Sequence, residues 1–214
     1  MSPSREEGQL VRTDEILEFA RRVIQQESEE VASLAEQLDH SFVEAAQSLL
    51  ACEGHVLVAG VGTSNHIAAR LAHLLSCCGT PALFIHPGDS QHGLAGAVTR
   101  RDVLLAISKG GETKEVNHLA RIAGKRGATV ISVTEEPSST LGKLSDIVIL
   151  VKVNPYVDPY GMIATGSSLG SAAVGDALCV VLLRLRGYSK EEFGETHPGG
   201  AVGIKLGEQK KRKA

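Results

Sequence analysis

The hydrophobic positions of this chain change period once. From residue 13 to about residue 50 they recur at helical spacing, at Ile16, Phe19, Val23, Val31, Leu34, Leu38, Phe42 and Ala45, behind Asp14 and Glu15 in a first turn. Asp39-His40-Ser41 interrupts the pattern, so two amphipathic helices are predicted, an arm suited to packing within the chain or to oligomerisation. After the arm, short runs of Val, Ile, Leu and Ala alternate with helical stretches. Strands are predicted at 55–61, 82–86, 103–108, 129–133 and 147–151, and helices at 65–78, 91–97, 112–126 and 139–144. A long helix follows over 165–187, then a short one capped by Ser189 with Glu191 and Glu192 in its first turn, then the turn His197-Pro198-Gly199-Gly200. Strand-then-helix repetition predicts an α/β fold, a parallel sheet covered on both faces through right-handed crossovers. Ligands of such sheets lie outside the carboxyl ends of the strands, so the residues just after each strand are where chemistry is expected.

Composition narrows the class. The chain has 214 residues, 43% of them hydrophobic, enough for one well-cored domain with a helical appendage. We divide it into a disordered N-terminus (1–11), a helical arm (12–50), an α/β domain (51–206) and a basic disordered tail (207–214). Its 23 glycines and lack of tryptophan suit a tightly wound sheet with glycine loops, not an aromatic nucleic-acid binder. A net charge of −3 gives no general attraction to nucleic acid or acidic membranes, and Lys210, Lys211, Arg212 and Lys213 read as a solvated terminus. No run approaches the roughly 18 consecutive apolar residues of a membrane span. The start MSPSREEGQL is no signal peptide, so a cytoplasmic location without membrane contact is expected. Cys52, Cys77, Cys78 and Cys179 form no C-x-x-C pair, and the adjacent Cys77 and Cys78, inside a helical apolar pattern, read as small core residues and not as a redox or metal pair.

Two loops share one design. Gly60-Val61-Gly62-Thr63-Ser64-Asn65 follows the first strand and Ser108-Lys109-Gly110-Gly111-Glu112-Thr113 the third. Glycines let the backbone approach a ligand, while hydroxyls and free N–H groups at a helix start favour an anion. The first loop lacks the third glycine of the dinucleotide fingerprint, and the following strand ends in His86 instead of an acid, which argues against a nicotinamide cofactor. Neither loop is a P-loop. With Thr165-Gly166-Ser167-Ser168 they make three hydroxyl-bearing helix starts, which points to a phosphorylated metabolite. Proton-transfer candidates occupy the same kind of position: His86, His92, Glu112 and His197. Three loop histidines also raise zinc, but no H-E-x-x-H or cysteine cluster supports it, so neither metal nor cofactor is expected.

The runs VAGVGTSNHIAARLA, GTPALFIHPGDSQHGLAG, ISKGGET, VTEEPSSTLGKLSDIVI, DPYGMIATGSS, GDAL and THPGGAVG resemble, in that order, the sugar isomerase (SIS) domain, arabinose-5-phosphate isomerase branch, over about residues 30 to 206. The resemblance implies a three-layer α-β-α sandwich with a five-stranded parallel, flavodoxin-like sheet. It implies a homotetramer in which a late histidine reaches a neighbour's site, and cofactor-free aldose–ketose isomerisation of a phosphorylated sugar. Carried over by motif, Gly62, Ser64, Ser108, Gly111 and Thr113 belong to the phosphate-binding loops, with Thr165, Ser167 and Ser168 near the ligand; His86, by its place at the end of the second strand, is a further candidate for substrate binding. Glu112, His92 and His197 are the implied catalytic residues, His197 assisting ring opening while Glu112 and His92 share enolisation and oxygen protonation. The chain departs from the branch at Thr63, where those enzymes carry lysine, and Lys109 replaces an Asn in the serine loop. Ser138 stands where they can carry a glutamate, Gly93-Leu94-Ala95-Gly96 lacks their Asp, and the chain ends without the paired CBS domains of many relatives. A non-catalytic phosphosugar sensor is the alternative function.

Overall fold

The computed structural model describes residues 13–154, 160–200 and 203–204. The expectations for the first eleven residues, for Asp158-Pro159 and for the basic tail lie outside them. The arm is two helices, α1 (Thr13–Gln37) and α2 (His40–Leu50). They part at Asp39, whose carboxylate accepts the Ser41 amide at 2.8 Å and the Ser41 hydroxyl at 2.6 Å, the expected device for starting a new helix.

All five predicted strands form: β1 (Val56–Gly60), β2 (Ala82–Phe84), β3 (Val103–Ile107), β4 (Thr129–Thr134) and β5 (Ile147–Leu150). They make one parallel sheet in the order β2-β1-β3-β4-β5, the flavodoxin-like arrangement. The remaining helices are α3 (Thr63–Cys77), α4 (Pro87–Ser90), α5 (Lys114–Lys125), α6 (Thr140–Leu144), α7 (Gly166–Arg186) and α8 (Lys190–Thr196). Alternate strand residues feed two cores, as the two-residue side-chain period of a strand requires. Val56, Val58, Leu105, Ile131 and Ile149 pack with α2, α3 and α7, whereas Leu57, Ala59, Leu104, Ala106 and Val130 pack with α5 and α6. This is the expected three-layer sandwich.

One predicted helix is corrected. Residues 91–97 do not form it; α4 begins earlier at Pro87, and a 3-10 turn spans Leu94–Ala97. Gly93 between them has φ 111°, a left-handed conformation no continuing helix can contain.

α3 and α7 run side by side in the same direction. Arg70 pairs with Asp176, and Arg186 donates to Thr80, both at a sequence offset of 106. Added side-chain carbon on Gly170 would touch Val151 and Val153, just past β5, so α7 starts at the carboxyl edge of the sheet, as α3 does. By length and composition alone α7 could cross a membrane. Here it is a core helix, with Val174, Leu178 and Leu182 buried against the sheet layer.

Candidate functional site at the carboxyl edge

Strand register decides which loops meet. Gly60 lies opposite Ile107 across the β1–β3 pair, so the loops after these strands leave the sheet at one height. Strand order reverses at this pair, and the crevice between such loops is where a doubly wound sheet binds ligands.

In the first loop Gly62 precedes α3 with φ 63°, and nothing lies within 4 Å of where its side chain would start, so the backbone is open to a ligand. Thr63 is exposed and Ser64 half-buried. In the second loop Ser108 is buried, with Oγ 3.2 Å from Thr113 Oγ1. Thr113 is the N-cap of α5, but its side chain does not cap, which leaves first-turn amides and the positive helix end facing the crevice.

Gly111 has φ 66°, and a methyl there would overlap the Ser139 hydroxyl. Its carbonyl accepts the Asn117 side-chain amide at 3.1 Å and the Leu141 amide at 3.0 Å, which fixes the loop against α5 and α6. Glu112 does not open α5, as the sequence pattern suggested. It lies in the preceding turn and reaches sideways to α6, where Oε1 accepts the Thr140 amide and Oε2 the Thr140 hydroxyl, each at 2.7 Å. The Thr140 amide, and then its hydroxyl, hold the Glu112 carboxyl below the usual glutamate range. Lys109 places Nζ 4.0 Å from the Glu135 carboxylate, and its carbonyl accepts the Glu135 amide at 2.9 Å and the Thr134 hydroxyl at 2.8 Å.

The third hydroxyl-bearing start is α7. Thr165 is its N-cap residue, with an Oγ1 buried and without a partner among the described residues. Ser168 Oγ donates to the Thr165 carbonyl at 2.8 Å, and Ser167 is half-buried beside it. β2 ends at Phe84, two residues short of the predicted end, and His86 is the N-cap residue of α4. Since Val58 pairs with Phe84, His86 comes level with Gly60, with Nδ1 3.9 Å from Asp89. His92 is exposed in the following turn.

His197 is elsewhere. Its ring stacks on Phe193 at 3.8 Å, and Nε2 lies 3.3 Å from Cys77 Sγ at the far end of α3. With a rise of about 1.5 Å per residue, Cys77 is ~20 Å from Thr63. One chain thus gathers the glycine loops, Glu112, His86 and the α7 start at one edge and leaves His197 at the other. Cys77 correspondingly contacts His73 and His197 instead of sitting in the core as the sequence suggested. Among the described residues no three histidine, cysteine or acidic side chains form a metal-binding group. The sequence reading missed Thr140, Ser139 and Asn117. A buried Asn on the apolar face of α5, among Val116, Leu119 and Ala120, was the available signal for Asn117.

Comparison with known proteins gives a consistent result. The SIS domain matches residues 49–181, which contain all five strands and both glycine loops. The Yersinia pestis protein named arabinose 5-phosphate isomerase KdsD is 38% identical over 186 residues, 87% of this chain and 57% of that protein. The chain thus spans little more than half the length of that relative. A solved structure from Listeria monocytogenes, provisionally assigned as a sugar-phosphate isomerase, is 36% identical and superposes with a TM-score of 0.85 over 88% of this chain and 99% of that one. An Escherichia coli CFT073 protein in complex with arabinose 5-phosphate is 29% identical with a TM-score of 0.84 over 87% of this chain and all of that one. Sheet order, paired glycine loops and these similarities agree: the chain belongs to the SIS domain family.

Proposed function

We propose that the chain is an aldose–ketose isomerase of sugar phosphates, working by acid–base chemistry without a cofactor. The observation that carries this reading is the Gly60–Ile107 register, which brings the two glycine loops, the second of them carrying Glu112, out of the sheet at one height. The hydroxyls of Ser64, Ser108 and Thr113, with the first-turn amides of the two helix starts, suit a phosphate, and Gly62 and Gly111 let it close on the backbone. Thr63, Lys109, Thr165, Ser167 and Ser168 are the residues we assign to the sugar side of the site.

In this scheme ring opening moves the anomeric hydroxyl proton to the ring oxygen, with His197 assisting. A base then removes the proton on C2 of the open aldose while the carbonyl oxygen on C1 is protonated, giving an enediol. Loss of the O2 proton and return of a proton to C1 complete the ketose. Glu112 and His92 share these transfers, a carboxylate and an imidazole being tunable for such work.

Because His197 lies near the opposite edge of its own chain, this scheme also needs a neighbouring subunit to supply it. The exposed Ile16, Leu17, Phe19 and Ile24 of α1 offer an apolar surface for that association, which we take to be a homotetramer. Four unpaired cysteines suit a reducing cytoplasm.

The test is incubation with four- to seven-carbon aldose and ketose phosphates in heavy water. Arabinose 5-phosphate comes first, because relatives carry that name and one structure holds that sugar phosphate. Exchange of the proton alpha to the carbonyl is expected for at least one compound. Binding without exchange across the whole panel would leave a phosphosugar sensor in place of an enzyme.

A further inference from the structure

Glu112 is not free to sample the crevice. Three consecutive residues at the start of α6 grip the loop that carries it. Ser139 occupies the space a Gly111 side chain would take, the Leu141 amide donates to the Gly111 carbonyl at 3.0 Å, and Thr140 receives the Glu112 carboxylate. Both carboxylate oxygens are used, one by the Thr140 amide and one by its hydroxyl. A carboxylate bonded through both oxygens is fixed in rotation as well as position, and its remaining lone pairs point where the loop aims them.

We propose that Thr140 is the positioning residue for Glu112, orienting the carboxylate toward the sugar and setting the pH range over which it works as a base. The proposal rests on the isomerase reading of Glu112. The amide half of the grip belongs to the backbone and survives any substitution, whereas the hydroxyl half is specific to Ser or Thr at this position. Thr140→Val removes that half with little change in shape, and Thr140→Ser keeps it.

The mechanistic consequence has a definite sign. Hydrogen bonds to the charged form stabilise it, and the Lys143 ammonium on α6 adds a smaller attraction, so Glu112 stays ionised to lower pH than a free glutamate, chiefly through the grip. A base held in this way sets the acid limb of kcat/KM at its own titration midpoint, and weakening the grip moves that limb upward.

Two measurements on the full chain decide. Titration of the Glu112 side-chain carboxyl by carbon NMR, without substrate, gives its midpoint directly. The pH profile of alpha-proton exchange of arabinose 5-phosphate in heavy water gives the acid limb. In Thr140→Val both move up together, with a severalfold loss of kcat and little change in KM, and in Thr140→Ser both return to the parent values. An unmoved midpoint in Thr140→Val overturns the proposal. So does an unmoved acid limb where Glu112→Gln is inactive, because Glu112 then matters and Thr140 does not tune it. Full activity in Glu112→Gln, or failure of the parent to exchange any of the four- to seven-carbon aldose and ketose phosphates, overturns the underlying reading instead, while the titration still decides whether Thr140 governs Glu112. Where arabinose 5-phosphate alone fails, the pH profile is taken on the compound that exchanges.

Discussion

Arg70 of α3 holds Asp176 of α7 with both terminal nitrogens, at 2.7 and 3.0 Å. The pair fixes the sliding register of two parallel helices whose starts carry Ser64 on one side and Ser167 and Ser168 on the other. Both side chains are close to half exposed, so the pair itself stabilises the fold by no more than about 1 kcal/mol. Its value lies in alignment. Arg70→Met is expected to lower the unfolding free energy by less than about 1 kcal/mol and to raise KM for the sugar phosphate severalfold at nearly constant kcat. Arg70→Lys should fall between, since a lysine cannot reproduce the fork. Urea unfolding and steady-state kinetics separate the two effects, and an unchanged KM would mean that the packed seam alone keeps the helices in register.

Gly111→Ala attacks the second loop twice. The left-handed φ of 66° is strained for any residue with a side chain, and the new methyl collides with the Ser139 hydroxyl. Strain of this kind costs about 1–3 kcal/mol, and the clash displaces the loop from α6. The expected outcome is a lowered melting temperature together with loss of detectable sugar-phosphate binding by calorimetry. Gly96→Ala is the control, because that glycine has ordinary backbone and nothing lies within 4 Å of its added carbon. Retained binding in Gly111→Ala would show that the loop relaxes without losing the phosphate site.

Asp102 organises the opposite edge of the sheet. Its Oδ1 accepts the His55 amide at 2.8 Å, and its Oδ2 accepts the Thr99 amide at 2.7 Å and the Thr99 hydroxyl at 2.9 Å, at a site only 7% exposed. Burial pushes the carboxyl up, but the amides of His55 and Thr99 and the hydroxyl of Thr99 outweigh it, and the net shift is downward. A folded-state value below the unfolded one stabilises fully above the ordinary aspartate range, near pH 4, and is lost as pH falls through the folded value. Asp102→Asn is therefore expected to cost about 1–3 kcal/mol near pH 7 and progressively less in more acid solution. Urea unfolding at pH 7, 5 and 3.5 measures the gap. A gap that stays constant with pH would assign the cost to shape instead of charge.

The strands and their order of appearance were legible because Val, Ile and Leu runs bounded by glycine are a local signal. The sequence pattern leaves 87–90 between a strand and a later helix, whereas α4 starts at Pro87, a proline in the first turn being a helix start. The grip of Thr140 on Glu112 spans 28 residues of sequence, and no period along the chain reports a contact between two loops that meet only once the sheet has formed. Periodicity also could not say which apolar positions of α1 would be covered. Leu34 is 4% exposed against α7, while Ile16, about five turns earlier on the same amphipathic pattern, is 55% exposed. A helix face looks alike in sequence whether its partner lies within the chain or on another copy.

That ambiguity bears directly on His197. Its ring is stacked on Phe193 and its Nδ1 lies 2.9 Å from the Phe193 carbonyl, so α8 and His197 form a rigid unit far from the loops of their own chain. If the isomerase scheme uses His197, the ring must act on the crevice of another copy, and the two halves of a working site can come from differently damaged subunits. Glu112→Gln and His197→Ala, each inactive as a pure oligomer, are then expected to regain activity when unfolded together and refolded as a mixture. Random assembly places an intact Glu112 loop opposite an intact His197 in a substantial minority of sites, so recovery should be a readable fraction of the parent rate, rising and falling with the mixing ratio. Light scattering on the same samples reports the assembly. Inactive mixtures from properly assembled oligomers would exclude a His197 contribution in trans, and with the intrachain distance already about 20 Å would remove His197 from the chemistry altogether.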